Sequence, residues 1–352
     1  MKAKALQFGK AMSAALFVLL LSVAGTKNAL AQTQVATLQH GDDISVFYGT
    51  DAFVQAHTAA VDGDIVTLSS GSFTTPTTIG KAITLRGAGC VADTVAGTNP
   101  TILAGTVTFN VPNDSVALNV EGILFSTEMR YGKLVNPKFN RCSFQTITYY
   151  TSSYVMTNAQ FVNCMIKNFK FSYTNNTTFI NSVVWIPTAL SNSESSNTIT
   201  ILLYNSLFGK LQTNNAIGVS AYNSIIFASN SSSNCNYSTQ NTFINCIGIK
   251  VGGNTNNTPF GSAYTAGCTT YTSYEDVFES FTGTFSLEEP FILKDEIATG
   301  FLGSDGTQVG IYGGFMPYSN RPSYMVLRRC NVANRSTIDG KLSVEIEVVS
   351  EE

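Results

Sequence analysis

The chain has 352 residues and a mass of 37.8 kDa. Apolar residues are 44% and charged residues 12%, about half the usual ~25% of charge, so a large core can be buried and disorder is excluded. Two histidines exclude a histidine metal cluster, and 16 basic against 23 acidic residues beyond residue 31 exclude the electrostatic footprint of a nucleic-acid binder.

Residues 1–31 read as a secretory signal. Lys2, Lys4 and Lys10 form the basic start, Ala14 to Ala24 the apolar run, and Ala29, Leu30 and Ala31 a small-x-small site with cleavage before Gln32. The run is shorter than the ~20 residues a transmembrane helix needs. An exported, extracellular or cell-surface protein is expected, with the periplasm as the other compartment. Seven cysteines follow: Cys90, Cys142, Cys164, Cys235, Cys246, Cys268 and Cys330. Seven is odd and none has CxxC spacing, so no zinc or redox motif is read. They are expected mainly as unpaired core residues.

Residues 32–61 are expected to hold a capping helix. Phe53, Ala56, His57 and Ala60 share one helical face, with Thr50 or Asp51 at its start. Short strands follow at Ile65–Leu68, Ile83–Leu85 and Val107–Phe109, each bounded by Gly or Pro.

A repeat then begins. An apolar residue, any residue, Asn, Ser or Cys, and two further, mainly apolar residues recur as FVNCMI (161–166), FINSVV (179–184), LYNSLF (203–208), AYNSII (221–226) and FINCIG (243–248). Weaker copies are FNRCSF (139–144) and NVEGIL (119–124). With the Ser/Cys position as register, the copies fall at 122, 142, 164, 182, 206, 224 and 246, a step of 18 to 24 residues. Fixed motif and variable step mean one constant strand–bend–strand joined by loops of changing length. The units hold strand and turn residues; residues 171–200 contain 17 Ser, Thr or Asn. One unit cannot bury its apolar face alone, but coils stacked about 4.8 Å apart can. The fold expected is all-β, a right-handed parallel β-helix spanning residues 62–318. Asn163, Asn181, Asn205, Asn223 and Asn245 are expected as a structural ladder at one bend. There they accept left-handed backbone and bond their copies on the next coil. The Ser/Cys column beside them is expected to be packing. Residues 319–352 read as a hairpin or tail, with strands Tyr324–Val332 and Lys341–Val349 joined near Asp339 and Gly340.

The stretch FVQAHTAAVDGDIVTLSSGSF (53–73) resembles the opening of right-handed β-helix proteins of the pectin-lyase-like superfamily, where a helix and a Gly-Asp turn precede the first coil. ITLRGAG (83–89) is similar to that superfamily's second coil, and GSDGTQVGIYGG (303–314) with Pro317 looks like the closing segment of secreted Bacteroidetes β-helix proteins. The resemblance covers roughly residues 38–318, and what it implies is cleavage of acidic or neutral polysaccharides, as in many proteins of that superfamily.

The residues favour binding over cleavage. Hydrolysis needs two nearby carboxyls, and lyase action needs a cation and a basic residue. Residues 110–270 carry four acids, Asp114, Glu121, Glu128 and Glu194, and no acidic pair. Glu121 and Arg141 are expected to stack at the bend as an ion pair, both taking the Asn position. The weak catalytic candidates are Glu121, Glu128 and Arg141. Arg130, Lys133, Lys138, Lys167 and Lys170, with Tyr149 and Tyr150, gather within two coils as the candidate site for an anionic glycan. No cofactor is expected. Asp42, Asp43 and Asp305 carry oxygens that suit calcium, in sequences that also favour turns. The expected function is carbohydrate or surface-molecule binding without catalysis. The alternatives are a polysaccharide hydrolase or lyase, and an adhesin with a protein partner.

Overall fold

The computed structural model describes residues 34–93, 97–188, 199–209, 217–228, 240–250, 259–321, 326–332 and 344–349. The expected signal segment, Glu194 and Cys235 lie outside them, as does the side chain of Cys330. The expected β-helix is present: parallel sheets wind into a β-solenoid of about eight turns. No helix among the described residues is long and apolar enough to cross a membrane.

Strand and bend follow the repeat closely. The first sheet starts with an antiparallel hairpin, β1 (Val35–His40) and β2 (Asp43–Tyr48), which the sequence reading does not anticipate. It passes through β3 (Ile65–Leu68) and ends at Tyr264–Ala266. Its inward residues form one column: Val66, Leu85, Val120, Phe139, Phe161, Phe179, Leu203, Ala221 and Phe243. Phe161 stacks at 5.0 Å on Phe139 and 5.1 Å on Phe179, so the ring spacing follows the coil spacing. The helix α1 (Ala52–Ala59) buries Ala52, Phe53 and Ala56 and packs on β1, β2 and β3 at the first coil, the capping role expected. The Asp51 side chain makes no cap bond. The other end of the helix is satisfied instead, by Lys81 Nζ donating to the carbonyls of His57 (2.6 Å) and Thr58 (2.9 Å).

The bend carries the main correction to the sequence reading. Gly122 (φ 66°), Arg141 (49°), Asn163 (53°), Asn181 (47°), Asn205 (46°), Asn223 (51°), Asn245 (49°) and Gly267 (63°) are all left-handed. Glu121 pairs with Asn140, not with Arg141, so the first copy is shifted by one residue: Gly122 holds the bend and Ile123 the small-residue position. An eighth copy, Ala266–Cys268, escaped the motif because Gly267 replaces Asn. The asparagine side chains do not bond one another. Asn181 Nδ2 donates to Ile311 O (2.8 Å) and Gly313 O (2.7 Å), and Asn223 Oδ1 accepts from Ser304 N (2.9 Å). The expected asparagine-to-asparagine ladder exists five residues earlier, at Asn136, Asn158 and Asn176. There Asn158 Nδ2 donates to Asn136 Oδ1 (3.0 Å) and Asn176 Nδ2 to Asn158 Oδ1 (3.1 Å), beside the third sheet (Leu134–Val135, Met156–Thr157, Thr174–Asn175).

The Ser/Cys column is a hydrogen-bond relay as well as packing. The three serines each receive the N–H of the preceding coil: Cys164 N to Ser182 Oγ (3.0 Å), Ser182 N to Ser206 Oγ (3.2 Å), Ser206 N to Ser224 Oγ (3.1 Å). Serine and cysteine alike donate to the carbonyl two residues back, as Ser206 Oγ does to Tyr204 O (2.8 Å) and Cys164 Sγ to Val162 O (3.3 Å). Only a small side chain that is both donor and acceptor does this, which explains why Ser or Cys fills every position of the column from Cys142 to Cys268, beyond Ile123 at its start. Ser206→Ala should cost about 1–3 kcal/mol by leaving a buried N–H unpaired, whereas Ser206→Cys should cost much less. Urea denaturation of both variants checks this; equal losses would count against the relay. The described cysteines Cys90, Cys142, Cys164, Cys246 and Cys268 are free thiols.

After Tyr271 the chain leaves the coil pattern, although residue 318 was the expected end of the β-helix. Residues 272–321, including α2 (Asp295–Gly300), fold back as a strap across the outer face of the second sheet, whose strands run from Gly71–Thr74 to Thr269–Tyr271. Val277, Phe278, Phe281, Phe291, Val309 and Ile311 pack with outward Met165, Val183, Leu207, Ile225 and Ile247. The strap then descends the asparagine bend, reaching Asn223 with Ser304, Asn181 with Ile311 and Gly313, and Asp93 with Arg321 (3.4 Å). Gly313 is fixed by closeness: a Cβ there would lie 1.7 Å from Gln308 O and 2.6 Å from Asn205 Nδ2. The expected C-terminal hairpin is present as Val326–Val332 paired antiparallel with Val344–Val349; its turn lies outside the described residues.

Candidate ligand-binding cleft

The residue four places after each bend residue points out of the second sheet. Along the stack this column reads Ser126, Gln145, Lys167, Trp185, Gly209, Phe227 and Ile249. It is polar for three coils and then turns apolar, except at Gly209, and the strap covers the apolar part. Trp185 lies 4.6 Å from Phe227, 5.4 Å from Phe281 and 5.4 Å from Phe285, ring centroid to centroid. Where the column becomes polar the strap stands off, leaving a cleft of about 370 Å³. Ser126, Gln145 and Lys167 form its floor, Leu124, Cys90 and Val91 one wall, and Phe285, Ser286, Leu287 and Glu288 of the strap the other. Burial pushes the Cys90 thiol up to about 11, so it is an inert wall rather than a nucleophile. Chemically the cleft offers a hydroxyl, an amide, an ammonium and a carboxylate beside an aromatic ring, a combination that suits a polar, ring-shaped ligand.

Of the candidate residues, only Lys167 lies in this cleft. Glu128 and Arg130 face outward from one strand of the second sheet (Leu124–Tyr131) and pair with each other, Nη2 to Oε2 at 2.7 Å. Lys170 lies one residue past the Ile147–Phe169 pair, in the row Arg130 shares with Thr148. Lys133 pairs with Asp114 at 2.9 Å, and Lys138 sits on the first sheet between Asn119 and Gln160. The expected basic cluster is therefore divided: Arg130, Lys167 and Lys170 leave the outer face of the second sheet, whereas Lys133 precedes the third sheet and Lys138 lies on the first, because the bends turn sequence neighbours apart. Tyr149 is half-buried edge-on to Tyr173 at 4.9 Å, and Tyr150 is exposed. Glu121 accepts from Arg141 (3.5 Å) and from Asn140 (3.3 Å), so the expected ion pair forms despite the shifted register. Glu121 lies on the first sheet and Glu128 on the second, each held by an arginine, which gives no hydrolytic pair of carboxyls.

Asp305 Oδ1 accepts from Thr307 N (3.0 Å) and Thr307 Oγ1 (2.8 Å), and Asp42 and Asp43 sit at the β1–β2 turn. Both are turn roles, and no three metal-ligating side chains converge among the described residues. The strap residues of the cleft were not found from the sequence. The polar-to-apolar switch four residues after each bend, once the register is known, is the signal for Ser126 and Gln145. No protein-family model matches the chain, and no curated protein matches it.

Proposed function

We propose that the chain is a secreted or cell-surface β-helix protein, of the pectin-lyase-like kind its sequence resembles, that binds a glycan without cleaving it. The observation that carries this is the cleft floor: Ser126, Gln145 and Lys167 on three successive coils, facing Phe285 and Glu288 of the strap. Polar groups repeated at the coil rise of about 4.8 Å suit successive hydroxyls of an extended sugar chain. One ammonium opposite one carboxylate provides orientation, but not the two carboxyls of a hydrolase. The second reading is a polysaccharide lyase, and the presence of Lys167 in the cleft is what favours it.

The test is a glycan-array screen followed by titration of the glycans retained and product analysis. Gln145→Ala and Lys167→Ala should each weaken binding about tenfold, as loss of one hydrogen bond to a polar or charged group does, with no fragment released. Unchanged affinity in both variants would overturn the reading. Unsaturated fragments that vanish in Lys167→Ala would replace it with the lyase.

A further inference from the structure

We infer that Cys246 and Cys268 form a redox clip, in which a disulfide between them fastens the last coil of the solenoid to the coil beneath. The pairing of Ile247 with Thr269 sets the two cysteines opposite each other on neighbouring coils. Parallel strands lie about 4.8 Å apart, inside the Cα separation of about 4.4–6.8 Å that a disulfide spans. The Cys246 N–H already reaches Cys268 Sγ at 3.4 Å. The last coil needs a fastening. Tyr264–Ala266 and Thr269–Tyr271 end their sheets, and the inward position after buried Phe243 is exposed Thr265. The same position on the other strand, after Gly248, is exposed Thr270. No further coil pairs with this one among the described residues, so solvent reaches Cys268, which is half-buried.

Cys142 and Cys164 provide the contrast within the molecule. They are the same column pair in the same register, but both are fully buried and the Ser182 coil covers them. Burial pushes both thiols upward, whereas the hydrogen bond with Cys246 brings Cys268 down to about 7. Cys268 is thus the most readily ionised of these thiols. Against a small-molecule disulfide, Cys268 Sγ attacks one sulfur and expels the other half as thiolate. Cys246 then attacks Cys268 Sγ, its proton passes to the second thiolate released, and one disulfide has been exchanged for another.

The experiment uses the full chain and glutathione disulfide, followed by alkylation in denaturant and peptide mapping without reduction. The expected result is a Cys246–Cys268 cross-linked peptide, with Cys142 and Cys164 still alkylated. The melting temperature should rise by several degrees and fall back on adding dithiothreitol. Cys246→Ser, conservative because serine fills this position in three other coils, should instead trap glutathione on Cys268. Two free thiols after oxidation, glutathione retained on Cys268 of the unaltered chain, or equal bridging of Cys142 and Cys164 would each overturn the clip.

Discussion

Replacing Phe281 by alanine should destabilise the protein by about 3–5 kcal/mol, as truncation of a fully packed phenylalanine does. Phe281 is 2% exposed and sits among Phe291 (4.8 Å), Tyr274 (4.9 Å), Trp185 (5.4 Å) and Phe278 (5.6 Å). Trp185 belongs to a solenoid coil and the other three to the strap, so the ring joins both parts of one cluster. Loss at this site should therefore lower a single unfolding transition rather than create a separate one for residues 272–321. Ile292→Ala, at a side chain 44% exposed, should change stability by under about 0.5 kcal/mol. Guanidinium denaturation followed by tryptophan fluorescence reads this directly, because Trp185 is the chain's single tryptophan. A loss below about 1 kcal/mol would show that the strap is an appendage rather than part of the core.

Asn181→Ala should cost about 3–5 kcal/mol, combining two lost hydrogen bonds to carbonyls, of which Ile311 O keeps its bond from Tyr318 N and Gly313 O is left unpaired, with a non-glycine residue held at positive φ. The carbonyls are those of Ile311 and Gly313, and φ is 47°. Asn181→Gly removes the strain and keeps the lost bonds, so it should remain destabilised by about 2–4 kcal/mol. Asn205 has the same backbone (φ 46°), but its Nδ2 has no hydrogen-bond partner. Asn205→Ala should then cost only about 1–2 kcal/mol, and Asn205→Gly close to nothing. Equal effects at the two positions would mean that the asparagines act through the bend alone and that the strap contributes nothing through them.

The coil was legible because its causes are local and repeated. Asparagine at the left-handed bend, a small donor beside it, and apolar residues on either side are chemical needs of every turn, so the same letters return at 163, 181, 205, 223 and 245. Reading failed where another residue meets the same need. Glycine supplies positive φ without asparagine, so the motif slipped by one at Gly122 and stopped before Gly267. The Glu121–Arg141 pair was found because long side chains tolerate a register error of one residue. Lys133 and Lys138 were grouped with Arg130, Lys167 and Lys170 because sequence proximity says nothing about which side of a bend a side chain leaves from.

By itself the sequence determined an all-β solenoid, the parallel pairing of its coils, its capping helix and its apolar columns, since these follow from period, propensity and the need of each coil for a neighbour. Only the tertiary structure decided what the asparagines bond to, which outer face is covered, and where a cleft remains open. Those outcomes depend on residues 272–321 returning to coils formed far earlier in the chain. The strap has no period of its own. Its glycines and aromatics acquire meaning only against the surface they meet: Gly313 where Gln308 and Asn205 leave no room, Phe281 where Trp185 needs cover. Long-range packing of this kind is set by shape and burial rather than by local pattern, so it becomes visible only when the chain is folded.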